Sequence, residues 1–232
     1  MLSKAGTFSW IAGIAALAII ARIVLDISTS ITAGAPAAPG TLSAEEILSL
    51  FRRAPYRAFQ YLGLINVFEQ VLMIPIFVVF FASHRGLFPN ASILVVTLFV
   101  VSLGIYRANN AAMPLRHLSA RYVSAGDEGR PLLSSAGEDL LARGEDFTPG
   151  SLSGFALNEG AVLTMLALML RSRVFGRTTA MLGLVGASFL TLYQIAATFA
   201  PAVYNSLMPS AMLGGTFMLI RHVLIAVKLF RH

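Results

Sequence analysis

The sequence predicts an all-α, polytopic membrane protein with six transmembrane helices and one or two short helices on the membrane surface. Three observations carry that prediction. Hydrophobic residues make up 56% of the chain and charged residues 12%, with a mean hydropathy of +0.76, whereas a soluble domain carries about 25% charge. The apolar residues gather into runs of about 20, the length that crosses about 30 Å of hydrocarbon. Those runs are continuous rather than alternating, which is not the pattern of a membrane β-barrel. The 232 residues are therefore read as one integral membrane domain, 1–232.

The first run, Phe8–Ile27, follows Lys4 and precedes the small-residue tract Ala33–Gly40, an arrangement shared with signal peptides. It is longer than a signal core of about 7–15 residues, so it reads as an uncleaved anchor. Ser28–Ser43 is rich in Ala, Pro, Gly, Ser and Thr and reads as a loop. In Ala44–Arg53, Glu45 and Glu46 open the segment and Arg52 and Arg53 close it. That order suits a helix dipole, and the apolar face of Ile47, Leu48, Leu50 and Phe51 predicts a helix lying on the membrane surface.

The second run, Ala58–Ser83, contains Pro75, which predicts a kink. A tight turn from His84 to about Asn90 leads to the third run, Ala91–Ala112, which Pro114 should end. Leu118–Gly150 is the longest polar stretch and holds Asp127, Glu128, Glu138, Asp139, Glu145 and Asp146. Leu132–Arg143 within it predicts a second surface helix. The remaining runs are Leu152–Leu170, Thr179–Ala200 and Ser206–Leu229.

Six spans put both termini on one side. The net charge of +6 is almost all arginine, since Lys4 and Lys228 are the sole lysines. Arg171, Arg173 and Arg177 lie between the fourth and fifth runs, on the side of Lys4, Arg85, Lys228 and Arg231, with no acid among them. Positive loops mark the cytoplasm. The expectation is a multi-pass protein of the cell inner (plasma) membrane with both termini cytoplasmic.

An internal repeat is visible at an offset of 90 residues: Leu42 matches Leu132, Leu50 matches Leu140, Arg53 matches Arg143, Leu62 matches Leu152, Glu69 matches Glu159 and Gly86 matches Gly176. The units would be 42–112 and 132–200, flanked by spans 8–27 and 206–229, as parallel repeats about an axis near the membrane normal.

Function has to be sought among groups that are costly in lipid. An ionisable side chain at mid-bilayer costs about 2.5–3.5 kcal/mol on insertion scales and normally faces the bundle interior with a partner. Counting at about 1.5 Å per residue places Glu69 roughly 15 Å and Glu159 roughly 10 Å below the outer surface. Arg22, Arg107, Asn109, Asn110, Tyr193 and Gln194 fall in the same outer half, while Arg221 and His222 sit deeper, toward the cytoplasm. This predicts an outward-facing polar pocket whose ligand-binding candidates are Glu69, Glu159, Arg107, Arg22, Asn110, Gln194 and Tyr193. Arginine pairs well with carboxylates. Glu69 with Arg107 and Glu159 with Arg22 is one pairing; the swap is equally compatible with the sequence. Such groups can also simply hold helices together, and Arg22 with Asp26, one turn apart, also reads as a snorkelling surface pair.

Other chemistries find little support. Of the four histidines, His84, His117, His222 and His232, none pair at matching depth as a bis-histidine haem requires, and there is no HExxH. No GxSxG occurs, and without cysteine there is no thiolate nucleophile or thiolate metal site. No cofactor or metal is expected, and no basic cluster interleaved with aromatics points to nucleic acid. The expected partners are membrane lipids and a small-molecule ligand. Gly183, Gly186, Gly214 and Gly215 read as helix-packing positions.

The segments LRHLSARYVSAG (115–126), LLSSAGEDLLARG (132–144) and MLRSRVFGRTTAMLGLVG (169–186) resemble a six-helix bacterial integral membrane family known only as a domain of unknown function. The resemblance runs from about Asn109 to Ala200 and is most specific at Leu170–Gly176. It implies an integral membrane protein with cytoplasmic arginines and supplies no catalytic residues. Three roles stay open on the residues: a non-enzymatic protein binding or moving a small solute or proton, an enzyme acting on a lipid or prenyl chain with Glu69 and Glu159 as acid and base, and a structural or assembly subunit.

Overall fold

The computed structural model describes residues 6–33, 40–144 and 148–231. Lys4, residues 34–39, Glu145, Asp146 and His232 lie outside the described residues. The chain folds as an all-α, multi-pass membrane protein. Six helices have the length and hydropathy to cross a bilayer: α1 (Gly6–Ala33), α4 (Leu64–His84), α5 (Pro89–Asn109), α8 (Pro149–Ser172), α9 (Arg177–Phe199) and α10 (Met208–Phe230). Four shorter helices are α2 (Ala44–Arg53), α3 (Pro55–Tyr61), α6 (Ala112–Ser124) and α7 (Gly129–Gly144).

The spanning helices form a closed ring in the order α1, α4, α5, α8, α9, α10 and back to α1. Chain direction alternates around the ring, so every seam is antiparallel. Phe8, Trp10, Ile14, Phe68, Leu94 and Leu192 are each more than half exposed on the outside of the ring, a surface suited to hydrocarbon rather than water. Inside, Ala16, Ile19, Phe77, Phe80, Phe99, Met165, Leu166, Met169, Ile225 and Leu229 form the main apolar core. Phe77 of α4 and Phe99 of α5 stack face to face at 3.9 Å and 9°.

The four shorter helices gather at one end of the ring, called here the cap end. The opposite, basal end carries the turns at 85–88 and 173–176. In the cap, Ser43 and Glu46 make a reciprocal capping box at the start of α2, satisfying two otherwise orphaned N–H groups. Glu138 of α7 accepts from the Ala44 N–H at 2.7 Å, and Ser119 of α6 donates to the Leu48 carbonyl at 2.6 Å. Ile47, Leu48, Leu62, Ala112, Leu115 and Leu141 close a second apolar core between these helices.

Several boundaries differ from the sequence expectation, beginning with α1, which runs on through Ser28 to Ala33 where a loop was expected from Ser28. The second span begins at Leu64, because Gly63 adopts φ +67 and separates α3 as its own helix; a left-handed residue there breaks the helical ladder and suits glycine. The third span ends at Asn109, where Asn110 turns extended. Residues 112–124 then form α6, with Pro114 in its first turn, where a missing N–H is harmless. Pro75, where the sequence predicts a kink, lies inside the continuous α4.

Candidate functional site

Four of the spanning helices turn a stripe of residues toward the ring axis at helical spacing. On α4 it is Asn66, Glu69, Gln70 and Met73, at i, i+3, i+4 and i+7; on α8 it is Phe155, Asn158, Glu159 and Val162, with the same spacing. Leu190, Tyr193 and Gln194 follow it on α9, and Gly215, Met218 and His222 on α10. With Arg22 and Ile23 of α1 and Tyr106 of α5, these residues enclose a cavity of about 320 Å³.

The cavity lies toward the cap end. Most of the main apolar core lies on the basal side of the lining stripe: Ala16 and Ile19 precede Arg22, Phe77 and Phe80 follow Met73, and Ile225 and Leu229 follow His222. The cavity is therefore bordered by apolar side chains on its basal side.

Arg22 anchors one wall. Its Nη2 is 2.7 Å from Glu69 Oε2, and its Nη1 is 3.0 Å from Asp26 Oδ2 and 3.5 Å from Asn66 Oδ1. Asp26 in turn accepts from Tyr56 Oη at 2.7 Å and from Gln60 Nε2 at 3.5 Å. One guanidinium thus ties α1 to α4, and its neighbouring carboxylate ties α1 to α3. Burial, together with the bond to Asp26, pushes the Tyr56 phenol up to about 12: an ionised phenolate would lose water and face a carboxylate.

Across the ring, Glu159 is met by neutral side chains. Thr191 Oγ1 donates to its Oε2 at 3.2 Å, and Asn158 lines the cavity beside it. His222 places Nδ1 2.7 Å from the Met218 carbonyl. A carbonyl can only accept, so Nδ1 carries the proton and a neutral ring presents Nε2 as a lone pair. His222 Nε2, Gln70 Oε1, Gln194 Nε2 and Arg22 Nε are buried polar atoms with no hydrogen-bond partner among the described residues. Buried polar atoms are normally paired, and all four of these residues line the cavity. Arg221 is wholly buried behind the wall. Its Nη1 reaches Met218 Sδ at 3.8 Å, its Nε and Nη2 have no partner among the described residues, and the fields of Glu159 and Glu69 reach it.

Of the residues singled out in the sequence, the structure brings together Arg22, Glu69, Glu159, Tyr193 and Gln194. It leaves out two. Arg107 is exposed on the last turn of α5, and Glu69 pairs with Arg22 rather than with it. Asn110 is a joint: its Nδ2 donates to the Leu62 carbonyl at 2.9 Å and its Oδ1 accepts from the Ala112 N–H at 3.1 Å, lashing the α3–α4 break to the α5–α6 break. The Arg22–Asp26 pair exists, but Arg22 faces inward as well.

Asn66, Gln70, Tyr106, Phe155, Asn158, Thr191, Met218 and His222 complete the site and were missed. Asn66, Gln70 and Asn158 flank the glutamates at i−3, i+1 and i−1, so projecting each run around its acid would have found these three. His222 looked too deep because its position was counted along its own helix alone. Among the described residues, no group of three or more His, Asp or Glu is placed to hold a metal ion.

Comparison of the chain with family models, with curated proteins and with solved structures gave no significant match. The functional reading therefore rests on the geometry.

Proposed function

We propose that this membrane protein binds, and in a working cycle moves, a small solute or a proton through a polar site opening toward the cap end. The observation that carries this reading is the convergence of all six spanning helices on one cavity of about 320 Å³ whose wall holds buried polar atoms unpaired among the described residues. Polar groups serving only as helix glue satisfy one another and leave no space. In this reading the cap end faces outward and the basal end, with its acid-free run of Arg85, Arg171, Arg173 and Arg177, faces the cytoplasm of a plasma membrane. The resemblance of segments 115–126, 132–144 and 169–186 to a six-helix family of unknown function is compatible with this reading.

The absence of cysteine from the chain makes a direct test available. Single variants Asn158→Cys, Gln70→Cys and Phe77→Cys are exposed in oriented vesicles to a small, membrane-impermeant thiol reagent. Labelling of the first two from the outside, with Phe77→Cys protected, is the expected outcome. Protection of Asn158→Cys and Gln70→Cys from both sides would remove the site, and labelling only from the inside would reverse the orientation.

A further inference from the structure

We propose that the cavity's ligand is a small organic ammonium ion, an inference that rests on the binding reading above and names its ligand class. Charge comes first. Arg22 is already held by Asp26 and Glu69, while Glu159, the other carboxylate lining the cavity, accepts from the neutral Thr191 and has no cation within ion-pair distance among the described residues. A lone carboxylate is costly to ionise in an apolar bundle, and a bound monocation is a partner that lets it do so.

The wall chemistry narrows the kind of cation. Tyr106, Phe155 and Tyr193 line the cavity, and aromatic faces attract ammonium groups, quaternary ones included. A hard metal ion instead asks for a cage of six or more oxygens, which this mixed wall of rings, thioethers and amides does not supply. His222 Nε2 and Gln70 Oε1, unpartnered among the described residues, can accept from N–H or polarised C–H groups, while Gln194 Nε2 and Arg22 Nε, likewise unpartnered there, can donate. Those donors fit a hydroxyl or carbonyl oxygen on the same molecule. At protein-like packing, about 320 Å³ accommodates a ligand of on the order of ten non-hydrogen atoms.

The test is thermal melting of the detergent-solubilised full chain with choline chloride, tetramethylammonium chloride, sodium chloride, sodium acetate and glycerol, the salts at equal ionic strength. Choline and tetramethylammonium should raise the midpoint saturably while sodium chloride does not. Glu159→Gln should weaken choline binding by at least about tenfold, as loss of a desolvated charge partner does. Phe155→Leu, which keeps apolar bulk but no ring face, should weaken it several-fold, and this second variant stands if the first fails to fold. Equal shifts with choline and sodium chloride would overturn the proposal. Stabilisation by acetate or glycerol without choline would overturn the ammonium class and leave the binding reading in place. If no probe shifts melting while Asn158→Cys is labelled, the ligand class fails alone; if neither responds, both readings fail.

Discussion

Arg22 and Glu69 meet across the seam between α1 and α4, with Arg22 Nη2 2.7 Å from Glu69 Oε2, and Asp26 holds the same guanidinium from the other side at 3.0 Å. Removing one partner of a fully buried pair costs about 3–5 kcal/mol. Here the two side chains keep 21% and 27% of their surface exposed, so screening lowers the expectation for Arg22→Met to about 2 kcal/mol. The double variant Arg22→Met/Glu69→Gln should recover part of that loss, because it no longer strands a carboxylate. Melting midpoints in detergent check both, and an additive double variant would show that the contact contributes no coupling.

Tyr56 offers a spectroscopic readout. Its phenol is held up near 12, so its phenolate absorbance should appear about two pH units above that of an ordinary tyrosine. Tyr56→Phe should delete that late step, and Asp26→Asn should advance it. The folded value lies above the unfolded one, so the contribution to stability is complete below about pH 10 and is lost as pH rises through 12. A late step that survives Tyr56→Phe would assign it to another tyrosine.

Glu46 works in the opposite direction. Bonds from the Ser43 backbone N–H and hydroxyl hold its carboxyl below the usual range. A depressed folded value means the contribution is present above the ordinary glutamate range of about 4.3 and lost as pH falls through the folded value. Hydrogen exchange in α2 should therefore accelerate on acidification, and Glu46→Gln should flatten that dependence while the spanning helices keep theirs.

The α9–α10 seam depends on two glycines. A Cβ on Gly214 would stand 3.1 Å from the Gly186 carbonyl oxygen, and one on Gly186 would stand 3.0 Å from the Gly214 oxygen. Backbone faces backbone there, so neither clash is relieved by a side-chain rotation. Gly186→Ala or Gly214→Ala should each destabilise by about 1–3 kcal/mol. Gly104→Ala, with nothing within 4 Å, should be neutral or mildly stabilising in melting assays.

The architecture was legible because run length and hydropathy report directly on bilayer thickness. Glu69, Glu159, Tyr193 and Gln194 were legible because polar groups inside apolar runs are expensive and therefore few. What the linear sequence could not convey was rotation and true helix ends. Arg107 sits one residue beyond Tyr106, yet Tyr106 lines the cavity and Arg107 is exposed. Depth suffered likewise. Glu69 lies five residues inside α4 and Glu159 ten inside α8, about 7 and 15 Å, the reverse of the expected order, because Gly63 shortens the second span. The acids match at an offset of 90 residues, whereas the stripes from Asn66 to Met73 and from Phe155 to Val162 match at 89, so the two carboxylates hold neighbouring rather than equivalent places on their helices.

The apolar basal border of the cavity has a mechanical consequence. Phe77 and Phe99 lie flat against each other on that side, one ring from each of two neighbouring helices. If the proposed site moves its solute along the α4–α5 seam, that stack has to part, whereas simple capture and release ask nothing of it. Clamping those two helices together would then leave occupancy untouched and stop flux by that route.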